Sequence, residues 1–234
     1  GQRVAQIRRT PPPERCGSTM GSLMSDEQPA EYRPSDYERS EEFLSVLNES
    51  ARLLGQNRPG EAVAKLLPLS KAAPENADVA INLGGAYILQ RKWNRAVKVL
   101  RRAVASHAHN SMLWANLGAA ELGALESSGP KQQAKAIDAY EHALQADPKA
   151  PNVHYHLGLI YASRGELLRA SAFFHRALEV NAADRDARRW LDRLDAMLAA
   201  GNLPTGDSEG PAASGPALTG RGTAANSESP FSLN

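Results

Sequence analysis

The sequence predicts an all-α solenoid: about four helix-turn-helix units in a row, a capping helix after the last of them, and a flexible tail at each end. Two observations carry this. A set of small and large apolar residues recurs along the middle of the chain at a spacing of 34 residues. Within each copy the set divides into two stretches of helical periodicity with a turn between them. A helix pair of this size cannot bury its own apolar stripe, so the copies must stack.

Residues 151–184 show the unit most plainly, with Leu157, Gly158 and Tyr161 in the first half, Ala170, Phe174 and Ala177 in the second, and Gly165 between. Leu83, Gly84, Tyr87, Ala96, Leu100 and Ala103 repeat those offsets in residues 77–110. Residues 111–150 carry Trp114, Leu117 and Gly118, then Ala136, Tyr140, Ala143 and Pro148, with six extra residues between the halves. The insertion, around Ala124 to Gln133, is expected to lengthen both helices or to project as a loop, with a helix restarting at Pro130. Stepping back 34 residues from Ala96, Leu100 and Ala103 reaches Ala62, Leu66 and Leu69, so a first unit occupies about 43–76. The residue types follow from packing: a glycine on one helix and an alanine on the other allow close approach, and large side chains fill the gaps around them.

The first unit departs furthest from the pattern. Glu49 and Ser50 stand where the others have Leu-Gly, and its first helix is expected to slip by a residue or two. Glu121 takes the tyrosine position of the third unit. After the fourth unit, Asp184 is placed to cap a helix over 185–200 whose apolar face carries Ala187, Trp190, Leu191, Leu194 and Leu198. Gly201 ends it. Residues 1–36 and 201–234 are poor in bulky apolar groups and read as flexible, which leaves a repeat domain over 37–200.

Bulk properties narrow the function classes. A net charge of +1 gives no overall signal for nucleic acid or membrane. The single cysteine, Cys16, excludes an intramolecular disulfide. No apolar run approaches the roughly 20 residues needed to span a bilayer, and no leader is visible although the sequence opens on Gly1, so a cytoplasmic location is expected. No nucleophile elbow, phosphate loop or metal-ligand spacing appears, and neither enzymatic activity nor a cofactor is expected.

The spaced set, W-x2-L-G-x2-Y with a later A-x3-F-x2-A and a terminal proline, resembles the tetratricopeptide repeat over about Phe43 to Asp184. That resemblance implies a right-handed superhelix whose concave groove, lined by the first helix of each pair, binds a peptide or helix of a partner protein. It therefore implies an adaptor or scaffold. By register the groove falls on Ile81, Asn82, Ile88 and Leu89, on Met112 and Asn116, and on Tyr155, His156 and Leu159. Asn48, Asn82 and Asn116 share one register, with His156 next in the series. The row is similar to the asparagine ladder of the O-linked N-acetylglucosamine transferase repeats, in which amides hold a peptide main chain; equally, such asparagines can satisfy neighbouring backbone groups. The Lys and Arg of a carboxylate clamp are missing from the groove.

Two further surfaces are expected. Arg91, Arg95, Lys98 and Arg102 follow helical spacing on one face of a second helix, which can meet an acidic partner or stand solvated. Open solenoid ends and tails offer a competing function, assembly of the chain with itself into head-to-tail oligomers or filaments.

Overall fold

In a computed structural model, residues 33–199 are described; the expected tails, apart from residues 33–36, lie outside them. The described residues form nine α-helices and one short 3-10 turn, with no strand. The helices are α1 (Glu41–Gly55), α2 (Pro59–Ala72), α3 (Ala77–Leu89), α4 (Trp93–Ser106), α5 (Ser111–Leu122), α6 (Pro130–Ala146), α7 (Val153–Ser163), α8 (Leu167–Val180) and α9 (Arg185–Ala199). No helix among the described residues is long and apolar enough to cross a membrane.

Local chemistry sets the boundaries. Ser40, Asn76 and Asn110 accept from the backbone N–H groups of Phe43, Val79 and Leu113, and thereby cap α1, α3 and α5. Asp184 accepts from the N–H groups of Asp186 and Ala187 at the head of α9, as its position suggested. Pro59 and Pro130 open α2 and α6, where a missing N–H costs nothing. The turns inside the first, second and fourth units pass through the left-handed region at Asn57, Arg91 and Gly165, with φ of 56°, 57° and 75°. Arg91 is therefore a turn residue and not the first member of a stripe on α4; only Arg95, Lys98 and Arg102 share that exposed helical face.

Packing follows the predicted small-against-large rule. A Cβ added at Gly84 would come 2.7 Å from the Leu100 side chain, at Gly118 2.7 Å from the Tyr140 ring, and at Gly158 2.7 Å from the Phe174 ring. Leu100, Tyr140 and Phe174 are completely buried, as are Ala96, Ala136 and Ala170. Each large side chain so buried contributes about 1.5–3 kcal/mol of transfer free energy. Ser50 stands at the glycine position of the first unit and is also fully buried, its hydroxyl donating to the Val46 carbonyl at 2.7 Å. The expected slip of the first helix is thus absent. Glu49 is tolerated at the leucine position because α1 begins the described stack, and it pairs with Arg52 at 2.7 Å near the surface.

Glu121 is accommodated by charge. Its carboxylate is bridged by Arg101 of α4, with Lys135 of α6 at 4.0 Å. At the other end, α9 lays Ala187, Leu191 and Leu194 on α8, and Trp190 stacks on Phe174 with ring centroids 5.6 Å apart.

Candidate functional site: the concave cavity between the third and fourth units

The stack is regular up to α5 and then changes. α1 packs on α3 and α3 on α5, whereas α5 and α7 scarcely touch and α6 meets α7 far less than α4 meets α5. Two local features account for the gap. The chain between α5 and α6 leaves the helix at Gly123 (φ 67°) and makes a 3-10 turn at Leu125–Ser127 before α6 begins. The start of α7 is also displaced: Ala150 occupies the register of the capping residues Asn76 and Asn110, Asn152 adopts φ 62°, and the helix begins only at Val153.

The insertion is fastened across the gap. Gln133 at the beginning of α6 is buried, its amide nitrogen donates to the Ser128 carbonyl at 3.3 Å and to the Ser163 hydroxyl at 3.4 Å, and its oxygen accepts from Arg164 Nε at 2.8 Å. Thus α5 is not lengthened, α6 begins before Gln133, and the intervening loop lies against the structure. The expectation that both helices would grow holds for α6 alone.

What remains between α5 and α7 is a concave cavity of about 470 Å³. Ile88, Leu89, Met112, Ala119, Leu122, Leu125 and Leu159 give it apolar walls, Arg91 and Glu126 stand in its lining, and Ser111, Asn116, Tyr140, Asn152 and His156 carry its other polar groups. Tyr140 is buried, which pushes its phenol well above the usual range so that it keeps its proton. Its hydroxyl lies 3.2 Å from Nδ1 of His156. Burial also lowers the His156 imidazole to about 4, so the ring is neutral at pH 7. A neutral ring can accept from the hydroxyl at Nδ1 or donate an Nδ1 hydrogen to it, and in both tautomers the contact holds the ring in place. The amide nitrogen of Asn116 is buried and has no hydrogen-bond partner.

Six of the nine expected groove residues meet here: Ile88, Leu89, Met112, Asn116, His156 and Leu159. Ile81, Asn82 and Tyr155 do not line the cavity. α3 packs against α1, α2, α4 and α5, which leaves Ile81 3% and Asn82 1% exposed. The Asn82 amide nitrogen is likewise without a partner. Tyr155 turns toward the cap and lies 5.7 Å from Phe174; burial, its largest influence, raises its phenol. Asn48 is exposed on α1. Sequence reasoning missed Trp93, Ser111, Tyr140, Ala150, Pro151 and the residues Gly123–Glu126 as part of the site; the break in the 34-residue period was the available signal for the last of these.

On the exposed face of α4, Arg95 lies over the Tyr87 ring at 6.0 Å. His154 packs beside Phe173 with centroids 6.3 Å apart, and among the described residues no group of three His, Cys, Asp or Glu side chains could hold a metal ion.

Stacked helix pairs with an open concave face define a helical-repeat scaffold for protein interaction. Sequence signatures described as Tetratricopeptide repeat match residues 53–120 and 151–184, and one described as TPR repeat matches residues 131–165. Together they span more than half of the chain, which belongs to the tetratricopeptide repeat family. No curated protein sequence matches it. Among solved structures it is similar to a thermophilic TPR protein of Thermus thermophilus, with 20% identity, TM-score 0.58, and coverage of 68% of this chain and 82% of that one. It is also similar to MamA, with 20% identity, TM-score 0.52 and coverage of 64% and 83%, and to MamA AMB-1, with 21% identity, TM-score 0.53 and coverage of 66% and 88%. At these identities the likeness is one of fold.

Proposed function

We propose that this scaffold binds a segment of a partner protein in its concave face, with the cavity between α5 and α7 as the principal seat. The observation that carries the reading is the cavity itself, open on the concave face, with mostly apolar walls and a few polar side chains among them. Apolar walls supply affinity by burial.

A photo-crosslinking residue placed at Met112 tests the reading against the same residue placed at Arg102 on the exposed face of α4. Partner adducts are expected from position 112. Adducts from position 102 alone would move the binding surface to the basic face of α4. The competing reading is head-to-tail self-assembly through the solenoid ends and the tails, and sizing of the purified chain by light scattering tests it.

A further inference from the structure

We propose that the exposed face of α4 is a second docking surface, one that takes an acidic segment of a partner protein by its carboxylates. It stands apart from the cavity, whose lining includes none of Arg95, Lys98 and Arg102.

Six lysines and arginines and no acid lie between Val79 and Ala120, although the whole chain carries a net charge of only +1. On α4 the exposed positions are Asn94, Arg95, Lys98, Arg101, Arg102 and Ala105. Four of these six are cations, and neither a carboxylate nor a large apolar group shares their face. Arg101 is engaged by Glu121. Among the described residues Arg95, Lys98 and Arg102 have no ion-pair partner. Elsewhere Arg52, Arg58, Arg169 and Arg189 each hold an acid three residues away.

The arrangement opposes its own helix in the free chain. Lys98 stands three residues from Arg95 and four from Arg102, spacings at which like charges on a helix repel. The first turns of α1, α2, α3 and α9 carry an acid, which suits the positive end of the helix dipole. The first turn of α4 has none and contains Arg95 instead. An anionic partner relieves both effects. Arg95 is also held ready, its guanidinium 6.0 Å from the centre of the Tyr87 ring.

The shape of the charge narrows the partner. Arg95 and Arg102 lie about 10 Å apart along the helix axis, in a row one helix wide. Beyond Glu121, α6 brings Asp138 and Glu141 to the surface as well as Lys131 and Lys135. A nucleic acid or an anionic bilayer spreads its charge more widely and meets those acids too. The α4 face also offers no ring for a base to stack on and no apolar group to enter a bilayer. Carboxylates three or four residues apart on one side of a helix match a single row, and the arginine forks suit them.

Fluorescence anisotropy of the full chain with a labelled helical peptide carrying glutamates at i, i+4 and i+7 tests the inference. Binding is expected, weakening as salt rises from about 10 mM to about 150 mM and the screening length shortens from about 30 Å to about 8 Å. Arg95→Glu, Lys98→Glu and Arg102→Glu together should weaken it at least about tenfold. Arg185→Glu, Arg188→Glu and Arg193→Glu on α9 give the same net charge and should change it less than about twofold. A peptide with lysines in place of the glutamates should bind the α4 variant more tightly than the parent. Circular dichroism establishes that both variants are folded. No binding, equal losses from the two sets of reversals, or no gain with the lysine peptide would overturn the proposal. So would tighter binding of oligothymidine, or of vesicles of phosphatidylcholine and phosphatidylserine in equal parts, abolished by the α4 reversals; that result would assign the face to nucleic acid or lipid.

Discussion

The hydroxyl of Tyr140 lies 3.2 Å from Nδ1 of His156, and this contact joins the packing core of the third unit to the lining of the concave cavity. Tyr140 fills the same position as Leu100 and Phe174 against the glycine of the facing helix. Unlike them it carries a polar tip, and that tip fixes an imidazole at the cavity.

Stability should therefore depend on pH through His156. Its folded value is depressed from 6.5 to about 4 by burial. The unfolded chain takes up a proton that the folded chain refuses, so stability is constant above pH 6.5 and is lost as pH falls from there toward 4. At roughly 1.4 kcal/mol per unit, the loss approaches about 3 kcal/mol. Urea titrations at pH 7.5 and 4.5, run on the parent and on His156→Gln, isolate this group from the carboxylates that titrate nearby. Equal pH slopes for the two proteins would show that the ring is charged in the fold.

Gly118→Ala should be destabilising by about 1–3 kcal/mol, because its methyl group would stand 2.7 Å from the fully buried Tyr140 ring, which has no room to retreat. Gly60→Ala is the control. Nothing lies within 4 Å of that position in α2, and a gain of up to about 1 kcal/mol is expected from helix propensity. Thermal melts of the two variants should move in opposite directions.

Arg101→Ala tests the charge that replaces tyrosine in the third unit. The Glu121 side chain is only 9% exposed, and without Arg101 it keeps Lys135 at 4.0 Å as its remaining ion-pair partner. A loss of about 1–2 kcal/mol is expected, since one side of the pair is solvated and the other is not. Pairing it with Glu121→Gln in a double-mutant cycle should recover part of the loss; strictly additive effects would show that the bridge contributes nothing.

The helices and their facing sides were legible because Gly84 and Gly158 stand at one offset from Leu100 and Phe174, and Gly118 stands at that offset from Tyr140 plus the inserted residues, and periodic spacing maps directly onto contacts. Capping by Asp184 was legible for the same local reason. The site was legible only in part. Register placed Ile81 and Asn82 in the groove, but exposure depends on how closely the neighbouring helices approach, and α3 is enclosed from Val79 to Tyr87. Arg91 continued the spacing of Arg95 and Lys98 across a turn, where periodicity carries no meaning. The course of the insertion was hidden because it is decided by Gln133, Ser163 and Arg164, residues brought together from two units.

Asn82→Leu should stabilise the protein. The side chain is 1% exposed inside α3 and its amide nitrogen has no hydrogen-bond partner, so the folded state carries a desolvated donor that water satisfies in the unfolded chain. Leucine is close in volume and brings no polar atom, and its neighbours Ile81 and Leu83 belong to the same apolar cluster. The gain should be about 1–3 kcal/mol, the usual cost of an unsatisfied buried group. Asn116→Leu, at the equivalent position of α5, should likewise stabilise the free protein while weakening binding of a partner peptide in the cavity, because Asn116 lines the cavity and Asn82 does not. Denaturant midpoints and peptide affinities measured on both variants separate the two roles. If Asn82→Leu lowers the midpoint, the amide contributes to the fold despite its unpaired nitrogen; if it also abolishes peptide binding, Asn82 belongs to the site after all.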